Sequence, residues 1–270
     1  MLTGRQTVLL EGKNAIIYGA GGAVGSAVAQ AFAREGAHVF LAGRTSASLD
    51  PVAGRIVRNG GSADTWQVDA LDEADVDAHL SAVAKVARHI DVSFNAIGIP
   101  QRGIQGIPLR ELSLRSFAAP ISAYTTTNFL TARAAARFMI RQASGVILTL
   151  TAVPARAAVP LVGGMAPAGA AVEALTRSLV AELGVFGVRA VCIRSHAIPG
   201  TPLHEEVMSM VASGAGVSRE EFQSKMEAQT LMRRLPTLAE LSELAVFLAS
   251  DRASGMTAST TNLSVGAIAD

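Results

Sequence analysis

Short apolar runs alternate with longer stretches of helical spacing along the whole chain. Asn14–Tyr18 reads as a short buried strand, Gly19–Gly25 as a turn and Gly25–Glu35 as a helix. His38–Ala42 and Thr65–Val68 follow as strands two and three. Glu73–His89 carries Val76, Leu80, Val83 and Val86 on one helical face, and Val92–Ala96 is strand four. Ser113–Gln142 is a long helical stretch after a loop at Ile99–Arg110. Val146–Thr151, a helix over Val162–Leu183, Val188–Arg194, a helix over Thr237–Ala249 and Thr260–Ser264 complete the series. The last helix opens on Thr237-x-x-Glu240, a capping box.

Strands that alternate with helices predict a parallel sheet covered on both faces. The fold class expected is α/β: a Rossmann-type, doubly wound sheet of seven parallel strands, formed as a single domain over residues 1–270. Residues 195–236 break the alternation. Pro199, Gly200, Pro202, Gly214 and Gly216 lie there, with a short helix expected near Ser218-x-x-Glu221. An insertion at the ligand end of such a sheet reads as a substrate lid.

Composition narrows the function classes. Half of the residues are hydrophobic and the formal net charge is +1, with no basic or acidic run. Nothing points to nucleic acid or to an anionic membrane surface. Met1–Lys13 lacks the apolar core of a signal peptide. The apolar stretch 14–33 holds Gly19, Gly21, Gly22 and Gly25, so strand, turn and helix explain it better than a membrane span. The one cysteine, Cys192, excludes an internal disulfide and any cysteine metal cluster. It sits in an apolar run, which suggests a buried inert thiol and a reducing cytoplasm. The five histidines show no metal-ligand spacing, and no metal is expected.

The chemistry begins at Tyr18-Gly-Ala-Gly-Gly-Ala-Val-Gly25, a glycine turn between a strand and a helix. Glycines let backbone approach a pyrophosphate, and the helix N-terminus offers free N–H groups and partial positive charge. Gly19, Gly21, Gly22, Ala23, Val24 and Gly25 are the candidate phosphate-binding residues.

Gly19-x-x-x-Ala23-x-Gly25 resembles the turn of the short-chain dehydrogenase/reductase family, usually G-x-x-x-G-x-G, with Ala23 in place of the middle glycine. The resemblance runs on through Asp69, Asn95-Ala-Ile-Gly98, Gly145–Thr151, Ala170–Ser178, Arg234-Leu-Pro and Leu244–Ser250. It implies an oxidoreductase that binds a nicotinamide dinucleotide and acts on a small molecule. Asp69, with Ala70, would contact the adenine. Asn95, Ala96, Ile97, Gly98 and Ile198 would line the rest of the cofactor site. The family also implies a homodimer or homotetramer, built through the long helices at 113–142 and 162–183.

NAD enzymes of this fold keep a carboxylate at the end of strand two for the ribose 2′-hydroxyl. Here Gly43-Arg44-Thr45 stands there. Arg44 can pair with a 2′-phosphate and Thr45 can donate a hydrogen bond, so NADP(H) is preferred to NAD(H).

The family's catalytic positions are all changed. The Tyr position is Met165, the Lys position Gly169, the Ser position Ala152 and the Asn position Tyr124. The related enoyl reductases use a wider spacing, which puts their Tyr position at Val162 and their Lys again at Gly169. None of the residues standing at the Tyr, Lys and Ser positions transfers protons, and a positioned general acid contributes ~10²–10⁴ in rate. Two candidates remain for catalysis: Tyr124, as a phenol from the opposite wall, and His196, just after strand six. Each also has a structural reading, as a helix-packing tyrosine and as a loop-capping histidine. An active reductase with a displaced acid therefore stands beside a lyase or cyclase and a non-catalytic NADP-binding sensor. Leu161, Val162, Met165, Leu203, Val207 and Met208 suggest an apolar substrate.

Overall fold

The computed structural model describes residues 8–269; residues 1–7, on which part of the signal-peptide reading falls, lie outside it. β1 (Asn14–Tyr18), β2 (His38–Gly43), β3 (Ser62–Gln67), β4 (Val92–Asn95), β5 (Gly145–Ala152), β6 (Val188–Ser195) and β7 (Ser259–Leu263) form one sheet in the order β3-β2-β1-β4-β5-β6-β7. Every pairing is parallel, with registers such as Asn14↔His38 and Ala15↔Val92. The strand order reverses between β1 and β4. In an open α/β sheet this is where a ligand crevice forms, outside the carboxyl ends of the strands.

Both faces are covered. α1 (Ala23–Arg34), α2 (Ser46–Arg58) and α8 (Leu238–Ala249) bury Val28, Phe32, Leu49, Ile56, Leu241 and Leu248 on one side. α3 (Glu73–Ala87), α4 (Leu114–Gln142) and α5 (Met165–Leu183) bury Leu80, Val83, Ala135, Met139 and Leu183 on the other. The central strands are buried on both faces, so they read as continuous apolar runs rather than alternating ones. The capping box of α8 is formed: Thr237 accepts from the Glu240 N–H and Glu240 from the Thr237 N–H.

Three elements differ from the sequence reading. α2 was not anticipated. α5 starts at Met165, not Val162, because Gly163 has φ +54° and Gly164 abuts the Phe117 carbonyl of α4. The insertion at 195–236 holds two helices, α6 (Pro202–Ala215) and α7 (Arg219–Gln229), where only the second was expected. Thr201 caps α6 through the His204 N–H, Pro202 takes its first position, and Gly216 ends it in the left-handed region.

Candidate active site

The glycine turn leaves β1 at the switch point. Gly19 and Ala20 both donate to the Ala42 carbonyl of β2, at 2.9 and 3.2 Å, which pins the turn to the sheet. A Cβ on Gly19 would meet the Ala96 carbonyl oxygen at 2.8 Å, and one on Gly25 would collide with the Gly19 carbonyl. Only glycine permits these two approaches. Gly22 caps α1 without a side-chain hydrogen bond. The first-turn N–H groups of Ala23, Val24 and Gly25 therefore have no side-chain cap and point outward beside exposed Gly21 and Gly22. This is the donor set that a pyrophosphate requires.

Arg44 and Thr45 are exposed at the end of β2. Thr45 is the N-cap of α2; its Oγ1 donates to Ser48 Oγ at 3.1 Å, and Ser48 Oγ donates to the Thr45 carbonyl at 2.8 Å. Ser48 in turn crowds Gly21, where a Cβ would come within 2.5 Å of its hydroxyl. The N-terminus of α2 thus lies against the glycine turn, with Arg44 beside it.

Asp69 is exposed past the end of β3, and its Oδ1 accepts from the Leu71 N–H at 3.0 Å; Ala70 behind it is buried. Asn95 is buried. It donates to Thr131 Oγ1 at 3.2 Å and accepts from the Ile97 N–H at 3.0 Å, so its side chain holds the Ala96–Gly98 loop in place. Ile198 is buried after β6, and Leu203, at the start of α6, is the nearest group to a Cβ on Gly98, at 3.8 Å. The residues expected to bind cofactor therefore gather along one edge of the sheet.

At two of the positions that the resemblance sets against the family's catalytic residues, Ala152 is exposed at the tip of β5 and Met165 is half-buried at the first turn of α5. Thr151, one residue back, turns the other way and donates to Glu173 Oε1 at 3.0 Å. Cys192 is fully buried, and burial pushes its thiol up to about 11. Tyr124 reaches from α4 to the loop after β4, where burial raises its pKa and hydrogen bonds from the Ile99 backbone and the Gln101 side chain pull it back. His196 Nδ1 accepts from the Ala197 N–H at 2.7 Å, which leaves the ring hydrogen on Nε2. Burial, and then His204, lowers its pKa to about 4. His204 is buried on α6, and its Nε2 has no partner among the described residues.

Gln101, Gln105, Ser48 and His204 were not anticipated from the sequence. Ser48 had a local signal, lying three residues past the Thr45 cap. The two glutamines sit in a loop without periodicity, and only the fold brings them to the site.

A family model described as enoyl-(acyl carrier protein) reductase matches residues 19–267. The chain is a short-chain dehydrogenase/reductase. It belongs to a family of oxidoreductases. Gluconate 5-dehydrogenase of Gluconobacter oxydans (strain 621H) is 30% identical over 244 residues, covering 89% of each chain. An uncharacterised oxidoreductase of Bacillus subtilis (strain 168) is 28% identical over 92% of this chain and 88% of its own. Among solved structures, NAD+-bound xylitol dehydrogenase superposes with a TM-score of 0.89 over 95% of this chain and 99% of that one. At 22% identity it establishes the fold alone. A 7α-hydroxysteroid dehydrogenase, solved with NADH and 7-oxo glycochenodeoxycholic acid, is 26% identical with a TM-score of 0.83, over 98% of this chain and 97% of that one. Among the described residues of this dehydrogenase/reductase, no helix is long and apolar enough to cross a membrane, and no group of three or more metal-binding side chains converges.

Proposed function

We propose that this protein is an NADP(H)-dependent oxidoreductase acting on a small, largely apolar substrate. The end of β2 carries the reading: Arg44 and Thr45 stand there without a carboxylate, and the N-terminus of α2 lies against the phosphate turn. A 2′-phosphate would meet a guanidinium, hydroxyls and helix N–H groups rather than a repelling charge. The nicotinamide, when bound, supplies or takes a hydride, and the chain has to manage the proton that accompanies it. Tyr124 and His196 are the groups assigned to that task. Leu161, Val162, Met165 and Met208 form the apolar walls, and residues 195–236 close over the substrate as a lid within a single domain. The same reading places the protein in the cytoplasm as a homodimer or homotetramer built on α4 and α5.

The test is to supply NADPH or NADH with a panel of hydrophobic ketones, α-diketones and enones and to follow the nicotinamide absorbance. The expected result is slow oxidation of NADPH, faster than that of NADH, by at least one carbonyl compound. Bound NADPH that no member of the panel oxidises would contradict the reading and favour a nucleotide-binding protein without turnover.

A further inference from the structure

At the edge of the sheet, β2 and β3 bring a serine, a histidine and an aspartate together. Ser62 is the first residue of β3 and Asp64 the third. Side chains alternate along a strand, so both stand on one face. The parallel register sets His38, the first residue of β2, opposite Ser62. His38 Nε2 lies 2.8 Å from Asp64 Oδ2, and His38 Nδ1 lies 2.9 Å from Ser62 Oγ.

A carboxylate only accepts hydrogen bonds, so Nε2 carries the ring hydrogen and donates it to Asp64. In the neutral ring Nδ1 is then an acceptor, and the Ser62 hydroxyl donates to it. Every direction in the series Ser62 → His38 → Asp64 is thereby set by the carboxylate. The ring is also held from one side. It stacks on buried Phe40, with centroids 4.5 Å apart and planes at 26°. A hydroxyl against a base that a third group orients is the arrangement of an activated nucleophile.

The surroundings suit attack on a small reagent from solution. Ser62 and Asp64 are exposed, and the His38 side chain is 33% exposed. β3 is the edge strand of the sheet. The Val68 N–H donates to the Gly43 carbonyl of β2. Backbone groups alternate in direction along a parallel strand, so the Ala63 N–H points the other way, off the free edge. This N–H belongs to the residue after the serine and can donate to an oxyanion formed there. The cluster lies at the amino ends of β2 and β3, whereas the glycine turn leaves the carboxyl end of β1.

We infer that Ser62 is an O-acylation site, activated by His38 and Asp64, that takes small activated esters. Ser62 Oγ attacks the ester's carbonyl carbon, and its proton passes to His38 Nδ1. Asp64 holds the imidazolium that results. The tetrahedral intermediate collapses, the bond to the leaving alkoxide or phenoxide breaks, and the leaving oxygen takes the proton from His38. An ester of Ser62 and a free alcohol or phenol remain, and nothing is oxidised or reduced. Open to water, the site selects its acyl donor by reactivity rather than by shape. The inference goes beyond the oxidoreductase reading and does not depend on it.

The test is to mix the protein with p-nitrophenyl acetate at mildly alkaline pH, follow p-nitrophenolate release, and map the acetyl groups by peptide mass spectrometry. Ser62 should be acetylated roughly 10²-fold faster than exposed Ser46 and Ser113, the lower end of what a positioned general base contributes. Ser62→Ala should remove that fast phase. His38→Gln should slow acetylation of Ser62 to the rate of the other serines. Asp64→Asn should slow it in the same direction, and it keeps the test open if His38→Gln does not fold. Acetylation of Ser62 no faster than that of Ser46, or a rate that His38→Gln and Asp64→Asn both leave unchanged, would overturn the inference and leave the three residues as a bridge that only ties β3 to β2.

Discussion

Ala155 fills the space into which a side chain at Gly169 would grow. A Cβ on Gly169 would stand 2.9 Å from the Ala155 Cβ and 3.5 Å from its Cα. Ala155 closes the 3₁₀ turn Val153–Ala155 that follows β5, and Gly169 lies in α5 just beyond its first turn. The position that the resemblance sets against the family's lysine is thus closed by a neighbouring methyl group. Gly169→Lys alone should cost about 1–3 kcal/mol through overpacking. Ala155→Gly made together with it should recover most of that loss. Urea unfolding of the two single variants and the double variant reads the coupling, expected at about 0.5–3 kcal/mol. Strictly additive costs would show that the two positions do not share this space.

Beneath the same strands, Glu173 and Arg194 form a buried pair, 6% and 3% exposed. Glu173 accepts from Arg194 Nε at 2.8 Å and from Nη2 at 2.7 Å, and Thr151 donates to the same carboxylate. Glu173→Ala removes the carboxylate from a desolvated guanidinium and should cost about 3–5 kcal/mol, measured by denaturant unfolding. Replacing both residues by leucine should restore much of the loss, since two charges no longer need burying. A cost below about 1 kcal/mol for Glu173→Ala would place this pair with weak surface bridges.

Acid should weaken the fold before the carboxylates titrate. Burial holds His79 and His196 down to about 4. Their unfolded value is about 6.5, so the unfolded chain binds more protons between these two limits. The stability that the neutral rings contribute is complete above about pH 6.5 and is lost as the pH falls towards 4. The thermal midpoint should drop over this window, and His79→Phe should flatten part of the slope. An unchanged slope in that variant would remove His79 from the account.

The glycine turn was legible in the sequence because its signal is local: β1 runs over Asn14–Tyr18 as read, and Gly19–Gly25 needs only its own neighbours to be recognised. α2 was not legible. Ser46-Ala-Ser-Leu-Asp-Pro51 looks like a turn, and the apolar face of Leu49, Val52 and Ile56 is short. Packing against α1 and the sheet overrides the weak propensity. α6 was obscured in the same way by Pro199, Gly200 and Pro202, although Thr201 with Pro202 is a proper helix start. The buried amides at Gln101 and Gln105 depend on contacts across the fold, and a loop glutamine carries no pattern that foretells them.

Calorimetric titration of the protein and its Arg44→Ala variant with NADPH and with NADH tests the central claim most directly. The account predicts tighter binding of NADPH. It also predicts a loss of roughly 10- to 100-fold for NADPH alone in the variant, the effect of one charge-assisted hydrogen bond of about 1.5–3 kcal/mol. Binding of neither nucleotide, or tighter binding of NADH that Arg44→Ala leaves unchanged, would contradict it.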